Sequence, residues 1–159
     1  MLNGVQREAY LDSEKYELRV RAAKAPGNIV AEISRLNQIR ANHPALQNHL
    51  GLRFYHASDD AVLYFARFVP TGTEKPGAFG DDVLLAAISL DPRTPRECEI
   101  ELPLWEWGLP DHAALDVEDQ MFGTRFTWHG KRQHIRLNPH ELPFSLWHVR
   151  PQQQTGDTA

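Results

Sequence analysis

The stretch FTWHGKRQHI, residues 126–135, predicts a β-hairpin. It contains two short runs with aromatic or β-branched residues, separated by Gly130 and Lys131. A two-residue loop with glycine in first place is typical of a type II′ turn, in which His129 would pair with Arg132. Two strands joined so tightly leave no room for a helix, so this stretch favours an antiparallel sheet.

Similar short runs, bounded by turn-forming residues, continue on both sides of this stretch. They predict eight strands in all, at about residues 51–56, 61–68, 82–91, 96–102, 114–118, 124–129, 132–138 and 144–150. The longest break, Phe68 to Asp81, has two prolines and three glycines and is predicted to be a mobile loop. Strands that follow one another without helices predict a mainly β fold, an antiparallel β-sandwich.

One amphipathic helix is predicted before these strands, over residues 28–42. Its start is marked by Asn28, whose side chain can accept a hydrogen bond from a free amide of the first turn. Its end is marked by Pro44, because proline disfavours a helical residue before it. The apolar stripe of the helix consists of Ile29, Ile33, Leu36 and Ile39.

The composition limits the classes of protein to which this chain can belong. The 159 residues amount to about one domain, and 42% hydrophobic with 24% charged residues excludes whole-chain disorder, collagen and coiled coil. A net charge of −4 does not favour a nucleic-acid partner. The single cysteine, Cys98, fits a reducing compartment, and no stretch reaches the roughly 18 apolar residues of a membrane span. With no signal for secretion at Met1, we expect a cytoplasmic protein without a membrane partner.

A mixture of chemically useful side chains stands near the N-terminus, in residues 10–17. Lys15 and the Tyr16 hydroxyl could supply the fixed hydrogen bonds that a sugar requires, and a tyrosine ring offers it an apolar face. The alternative is a solvated segment whose tyrosines anchor it on the core. The four tryptophans leave a similar choice between a stacking platform for carbohydrate and ordinary core positions.

No metal or catalytic motif is visible. The eight histidines include no HExxH pattern and no pairing with cysteines. The acidic pairs Asp59-Asp60 and Asp81-Asp82 precede predicted strands, where carboxylates are solvated, and nothing shows that they converge as a glycosidase requires. We therefore predict no metal, no cofactor and no catalytic residue within this chain.

The order of several motifs resembles the C-terminal part of bacterial α-1,4-glucan:maltose-1-phosphate maltosyltransferases. The motifs are YLDSEKY (10–16), PGNI (26–29), ISRLNQIR (33–40), NHPALQ (42–47), SLDP (89–92), LPL (102–104), GLP (108–110) and TW (127–128). The SEKY and PGNI elements are fairly specific to this family, whereas the LxxIRxxxPAL pattern occurs across α-amylase-like enzymes. The resemblance covers most of the chain up to about Arg150.

The resemblance implies an architecture, because that family belongs to the α-amylase superfamily, glycoside hydrolase family 13. There a catalytic (β/α)8 barrel precedes an antiparallel β-sandwich. Residues 1–44 would be the terminal segment of the barrel, an arm and its last helix, residues 45–150 the C-terminal β-sandwich, and residues 151–159 a flexible tail. The resemblance further implies that Lys15 and Tyr16 bind the maltosyl group in the donor site. It places the catalytic carboxylates upstream, outside this chain.

The implied function is that of a C-terminal region of a retaining maltosyltransferase, which extends α-1,4-glucan using maltose 1-phosphate. This chain alone is expected to be inactive, with a structural or accessory role. Its partners would be the α-glucan or maltose 1-phosphate in a full enzyme, and a missing catalytic barrel chain or a second copy that covers the helix stripe. The alternative is a free-standing carbohydrate-binding or protein-interaction β-sandwich.

Overall fold

The computed structural model describes residues 26–71 and 79–152. These residues form one α-helix, two short 3₁₀ helices (Pro44–Leu46 and Leu104–Trp107) and eight strands. The helix is α1 (Val30–Asn42), and the strands are β1 (Leu52–Tyr55), β2 (Val62–Pro70), β3 (Phe79–Ser89), β4 (Arg96–Glu101), β5 (Ala114–Asp119), β6 (Arg125–His129), β7 (Arg132–Leu137) and β8 (Phe144–Pro151). All eight predicted strands are confirmed.

The strands form two sheets in which every pairing is antiparallel. One sheet has six strands in the order β1-β2-β3-β8-β5-β6, and the other consists of β4 and β7. The prediction of a mainly β, antiparallel sandwich is therefore confirmed. The predicted loop from Phe68 to Asp81 is too long at both ends, because β2 runs to Pro70 and β3 begins at Phe79; its middle lies outside the described residues.

The main core lies between the two sheets. Alternate residues of β2 are buried there, from Val62 to Phe68, because side chains on a strand alternate between its two faces. Cys98 and Ile100 of β4 and Ile135 of β7 approach from the smaller sheet. The alternation of apolar and polar residues thus gives each sheet one face toward this core.

The predicted hairpin at residues 126–135 is wrong. β6 pairs with β5 and β7 pairs with β4, so the chain crosses from one sheet to the other at Gly130 and Lys131. Gly130 has the positive φ of 76° that such a loop requires, but its amide donates to Ala113 O at 3.0 Å. The Lys131 carbonyl accepts from Leu102 at 2.7 Å. A glycine with positive φ can turn a chain between layers as well as within one, so the loop sequence alone did not settle the pairing.

The helix α1 begins and ends close to the predicted residues. Asn28 Oδ1 accepts a hydrogen bond from the Val30 amide at 3.2 Å, as its capping role predicts. After Asn42 the backbone of His43 is extended, with φ −117° and ψ 108°, and Pro44 starts a 3₁₀ helix. The local sequence therefore determined both ends of this helix.

The C-terminal half of α1 packs on the outer face of the six-stranded sheet. Ile39 is 2% exposed there, against Leu84 and Ala86 of β3 and Leu146 of β8. This second, smaller core explains why β3 is buried on both faces between residues 83 and 87. Contacts thus cross the boundary predicted between residues 44 and 45, and that boundary stays a prediction.

Candidate functional site

The two residues predicted to bind substrate, Lys15 and Tyr16, lie outside the described residues. Their role therefore stays a prediction. Within residues 26–71 and 79–152, an exposed apolar surface and a polar groove lie on the outer face of the six-stranded sheet, the side that carries α1.

The tryptophans belong mostly to the core. Trp128 and Trp147 are buried and pack edge to face, with ring centroids 5.0 Å apart. Trp107 packs partly buried against the same core. Trp105 is half-exposed in a 3₁₀ helix, where Lys131 Nζ lies 5.6 Å from its ring centroid. The core interpretation holds for three tryptophans, so the four do not form a platform for stacking on sugars.

Apolar side chains are exposed on the outer face of β1 and β2. Residues paired across antiparallel strands point to the same side of the sheet, so Phe54 of β1 shares the α1 side with Phe65 of β2 and Ala86 of β3. Leu52 lies on the same side by its pairing with Arg67, and Leu63 by its pairing with Ile88. The exposed fractions are 59% for Phe54, 42% for Leu52 and 37% for Leu63. We call these three side chains the apolar face.

The stripe of α1 adds to this exposed apolar surface. Leu36 and Ile39 pack on the sheet, but Ile29 and Ile33, toward the start of the helix, are 62% and 48% exposed. The sequence predicted that a missing catalytic barrel chain or a second copy would cover this stripe, and that stays a prediction. Among the described residues, the sheet covers only the C-terminal half of the stripe.

Polar contacts fix α1 and the following 3₁₀ helix to the sheet. Arg35 Nε donates to the Gln120 carbonyl oxygen at 2.8 Å. The guanidinium of Arg67, on β2, donates to the Ala45 carbonyl oxygen at 3.2–3.3 Å and to that of Asn48. The bonds from Arg67 satisfy carbonyls that lie beyond the end of α1. The apolar stripe is therefore held in a defined position beside the apolar face.

A polar groove of about 420 Å³ occupies the other side of the outer face, over β5, β6 and β8. Arg125 Nη2 lies 3.3 Å from Glu118 Oε1, and Gln152 donates to Asp116 Oδ1 at 2.9 Å. Arg150 is paired with Asp116 across β8 and β5 and also lines the groove. The groove thus presents charged groups that are largely matched with one another.

A cluster of two histidines and one carboxylate joins α1 to the sheet beside this groove. His43 Nδ1 donates to Asp82 Oδ1 at 2.7 Å, and the Ala45 amide donates to Asp82 Oδ2 at 2.8 Å. His148 Nε2 lies 3.4 Å from Asp82 Oδ1. The two imidazole rings meet edge to face at 4.8 Å. We call His43, Asp82 and His148 the His–Asp cluster.

The environment of His148 favours its neutral form. Burial lowers the pKa of His148, and Arg150 and His43 lower it further. Asp82 and Glu118 act in the opposite direction but do not outweigh burial. His148 therefore contributes a buried ring nitrogen, Nε2, to the cluster.

Sequence patterns did not predict the cluster or the groove. His43 and Asp82 are 39 positions apart and come from different elements, and His148 is on a third. Only the register of β3 with β8, which sets Leu84 opposite His148, brings them together. The acidic pairs do not converge, since Asp82 contacts the two histidines whereas Asp59 Oδ2 approaches Arg96 at 3.6 Å.

No helix in the described parts of the chain is long and apolar enough to cross a membrane.

Comparison with protein families gives one match over most of the sandwich. The family model described as "GLGE, C-terminal" matches residues 54–149. This match covers β2 to β7 in full, the end of β1 and nearly all of β8.

Several curated proteins similar to this chain are described as alpha-1,4-glucan:maltose-1-phosphate maltosyltransferase. One from Pseudomonas aeruginosa is 53% identical over 144 residues, which is 91% of this chain and 20% of the relative. One from Cereibacter sphaeroides is 43% identical over 90% of this chain and 20% of the relative. One from Burkholderia pseudomallei is 45% identical over 91% of this chain and 12% of the relative. The chain thus spans a fifth or less of the length of these relatives.

Proposed function

Because this chain belongs to the GLGE C-terminal family, we propose that it is the C-terminal accessory region of a maltosyltransferase and docks on the rest of that enzyme. The full enzyme would transfer maltosyl units from maltose 1-phosphate to α-1,4-glucan in the cytoplasm. The observation that carries the proposal is the exposed apolar surface on the α1 side of the sheet. In the proposal this surface is the docking interface.

The docking argument rests on the amount of apolar surface left in water. Complete burial of one large apolar side chain is worth roughly 1.5–3 kcal/mol relative to exposure. The apolar face contributes three such side chains, and the exposed half of the α1 stripe contributes Ile29 and Ile33. Strand pairing and the packing of α1 hold these side chains in fixed positions. An exposed apolar surface of this kind is typical of an interface.

The polar groove supports the same interface. It lies on the same side of the sheet, and Arg125, Glu118 and Arg150 give it both signs of charge. Interfaces between parts of one chain combine an apolar centre with polar surroundings, and paired charges fix their register. A partner surface would therefore place polar groups at the groove while its apolar part covers Phe54 and Ile33.

The domain boundary fits this proposal. Residues 45–150 would be the accessory β-sandwich, and residues 1–44 would belong to the end of the catalytic barrel, with α1 as its last helix. The packing of Ile39 against Leu84 and Leu146 then forms part of the contact between the two units. A second copy of the chain is the other partner that could cover this surface when the chain is alone, since a two-fold pair needs no new complementary surface.

Lys15 and Tyr16 are proposed to bind the maltosyl group in that complete enzyme. The test uses a hybrid in which this chain replaces the matching fifth of the Pseudomonas aeruginosa relative. Phosphate release from maltose 1-phosphate, with glycogen as acceptor, reports transfer. Loss of a charged donor costs about 1.5–3 kcal/mol, so Lys15→Ala should lower kcat/KM roughly 10- to 150-fold. Tyr16→Phe should lower it about tenfold or less, since it removes one neutral hydrogen bond.

The matched control is Tyr10→Phe, which removes a hydroxyl from the same motif. It should leave kcat/KM unchanged. If all three variants keep the activity of the unmodified hybrid, Lys15 and Tyr16 do not bind the donor. An inactive unmodified hybrid, folded by circular dichroism, would count against the proposed function as a whole.

A further inference from the structure

The His–Asp cluster has the composition of a metal site. The ligand atoms of His43, Asp82 and His148 all lie within 4.8 Å of one another. Two imidazoles and one carboxylate are ligands that Zn²⁺ accepts, with a fourth position left for water. The geometry points to a Zn²⁺ site, formed by His43 Nδ1, Asp82 Oδ1 and His148 Nε2, that connects the end of α1 to β3 and β8.

The strongest independent observation is the state of His148. Its side chain is 7% exposed, and its Nε2 atom is buried without a hydrogen-bond partner. A buried polar atom without a partner costs free energy, so native structures rarely keep one. This nitrogen lies 3.4 Å from Asp82 Oδ1, and a metal ion bound to both atoms would supply the missing partner.

Two of the three separations between ligand atoms are close to those around a tetrahedral ion, and the third, between the two histidine nitrogens, extends up to 4.8 Å and would shorten on binding. With bonds of about 2.0–2.1 Å, two tetrahedral ligand atoms stand about 3.4 Å apart. The separation of His148 Nε2 and Asp82 Oδ1 already has this value. His43 Nδ1 and Asp82 Oδ1 are at hydrogen-bond distance, 2.7 Å, and would separate by about 0.7 Å when the ion replaces the proton between them.

The surrounding groups fix the ligands as in other metal sites. The Gln120 amide nitrogen donates to the Glu118 carbonyl, which turns Gln120 Oε1 toward His43 Nε2 at 3.2 Å. In this arrangement Gln120 Oε1 accepts from His43 Nε2, and that leaves Nδ1 as the metal-binding atom. On binding, the Nδ1 proton leaves to solvent, while the Nε2 proton stays on His43 and remains hydrogen-bonded to Gln120 Oε1. The Ala45 amide holds the second carboxylate oxygen.

The site is reachable from solvent. His148 lines the polar groove as well as the cluster, so an ion and its water ligand can enter from that side. The ion would tie together three elements that the sequence places far apart. Its expected role is structural, because it would fix α1 on the sheet beside the apolar face.

The test is titration of the full 159-residue chain, without a histidine tag and treated with EDTA, with ZnCl₂ in a calorimeter. One equivalent should bind, and a hundredfold excess over Kd should raise Tm by roughly 5–10 °C, reversed by EDTA. His148→Leu and Asp82→Asn should weaken binding roughly a hundredfold or more, and Gln120→Leu about tenfold. His134→Ala, an exposed histidine on β7, is the matched control and should bind like the unmodified chain.

A measurement on the unmodified chain keeps the test decisive if a variant does not fold. Nitrogen chemical shifts of the histidine rings should show Zn²⁺ at Nδ1 of His43 and at Nε2 of His148. The inference is overturned if no equivalent binds, if the shifts change at other histidines only, or if the His148→Leu and Asp82→Asn variants bind Zn²⁺ as tightly as the unmodified chain.

Discussion

The 159-residue chain, incubated alone with maltose 1-phosphate and glycogen, is expected to release no phosphate above the blank. Retaining transfer needs a nucleophile and a general acid, two carboxyl groups about 5 Å apart on a rigid frame. The general acid alone contributes about 10²–10⁴-fold. The chain spans a fifth of the Pseudomonas aeruginosa relative, and we propose that the catalytic carboxylates belong to the remainder.

The carboxylates of the polar groove do not replace that pair. Asp116 and Glu118 stand two positions apart on one strand, and Glu118 is matched with Arg125 in an open groove. The hybrid enzyme is the positive control for the assay. Reproducible phosphate release by the purified chain, lost on Lys15→Ala, would contradict the expectation.

Replacing Gly51 with alanine is expected to cause the largest loss of stability of any single substitution discussed for this chain. A Cβ atom at residue 51 would stand 1.6 Å from the carbonyl oxygen of Phe68. That oxygen belongs to the backbone of β2, and the Phe68 amide donates to Gly51 O at 3.0 Å, so neither strand can move without breaking the pairing. Such overpacking costs about 3 kcal/mol or more.

A loss of that size should lower Tm by roughly 6–12 °C for a chain of this length. Thermal unfolding followed by circular dichroism gives the value. The control is Leu50→Ala, at the neighbouring residue. Because Leu50 is 72% exposed, the Tm of this variant should stay within about 2 °C of that of the unmodified chain. If Gly51→Ala melts like Leu50→Ala, the close approach of residue 51 to β2 is wrong.

The sequence predicted the elements well because their signals are local. Alternating residues marked β2, and Asn28 and Pro44 marked the ends of α1. Pairing was less predictable, because Gly130 fits a hairpin and a crossing between sheets equally. β7 pairs with β4, and the paired residues are 31 or more positions apart in the sequence. Which strand β7 pairs with depends on which apolar faces meet in the core. Local patterns cannot report such a contact.

The candidate surfaces were less predictable than the fold. The stripe of α1 was visible at helical spacing, but its coverage depends on how far the sheet extends beneath it. Phe54 is an ordinary strand residue in sequence, and only its pairing with Phe65 places it on the α1 side. The His–Asp cluster combines residues from three elements, and no spacing rule connects His43 with His148.

The central claim is that the α1 side of the six-stranded sheet docks on the rest of a larger enzyme. Hydroxyl-radical footprinting measures this directly, because labelling of a side chain follows its exposure to solvent. It should be run on the chain alone, diluted until light scattering reports a monomer, and on the hybrid enzyme. Phe122, 67% exposed in the turn after β5, serves as the matched control for Phe54.

The account predicts that labelling of Phe54 and Ile33 falls at least about fivefold in the hybrid, as expected when half-exposed apolar side chains enter an interface. Labelling of Phe122 should stay the same in both proteins. Equal labelling of Phe54 and Ile33 in the chain alone and in the active hybrid would show that this face stays in water, and would contradict the claim.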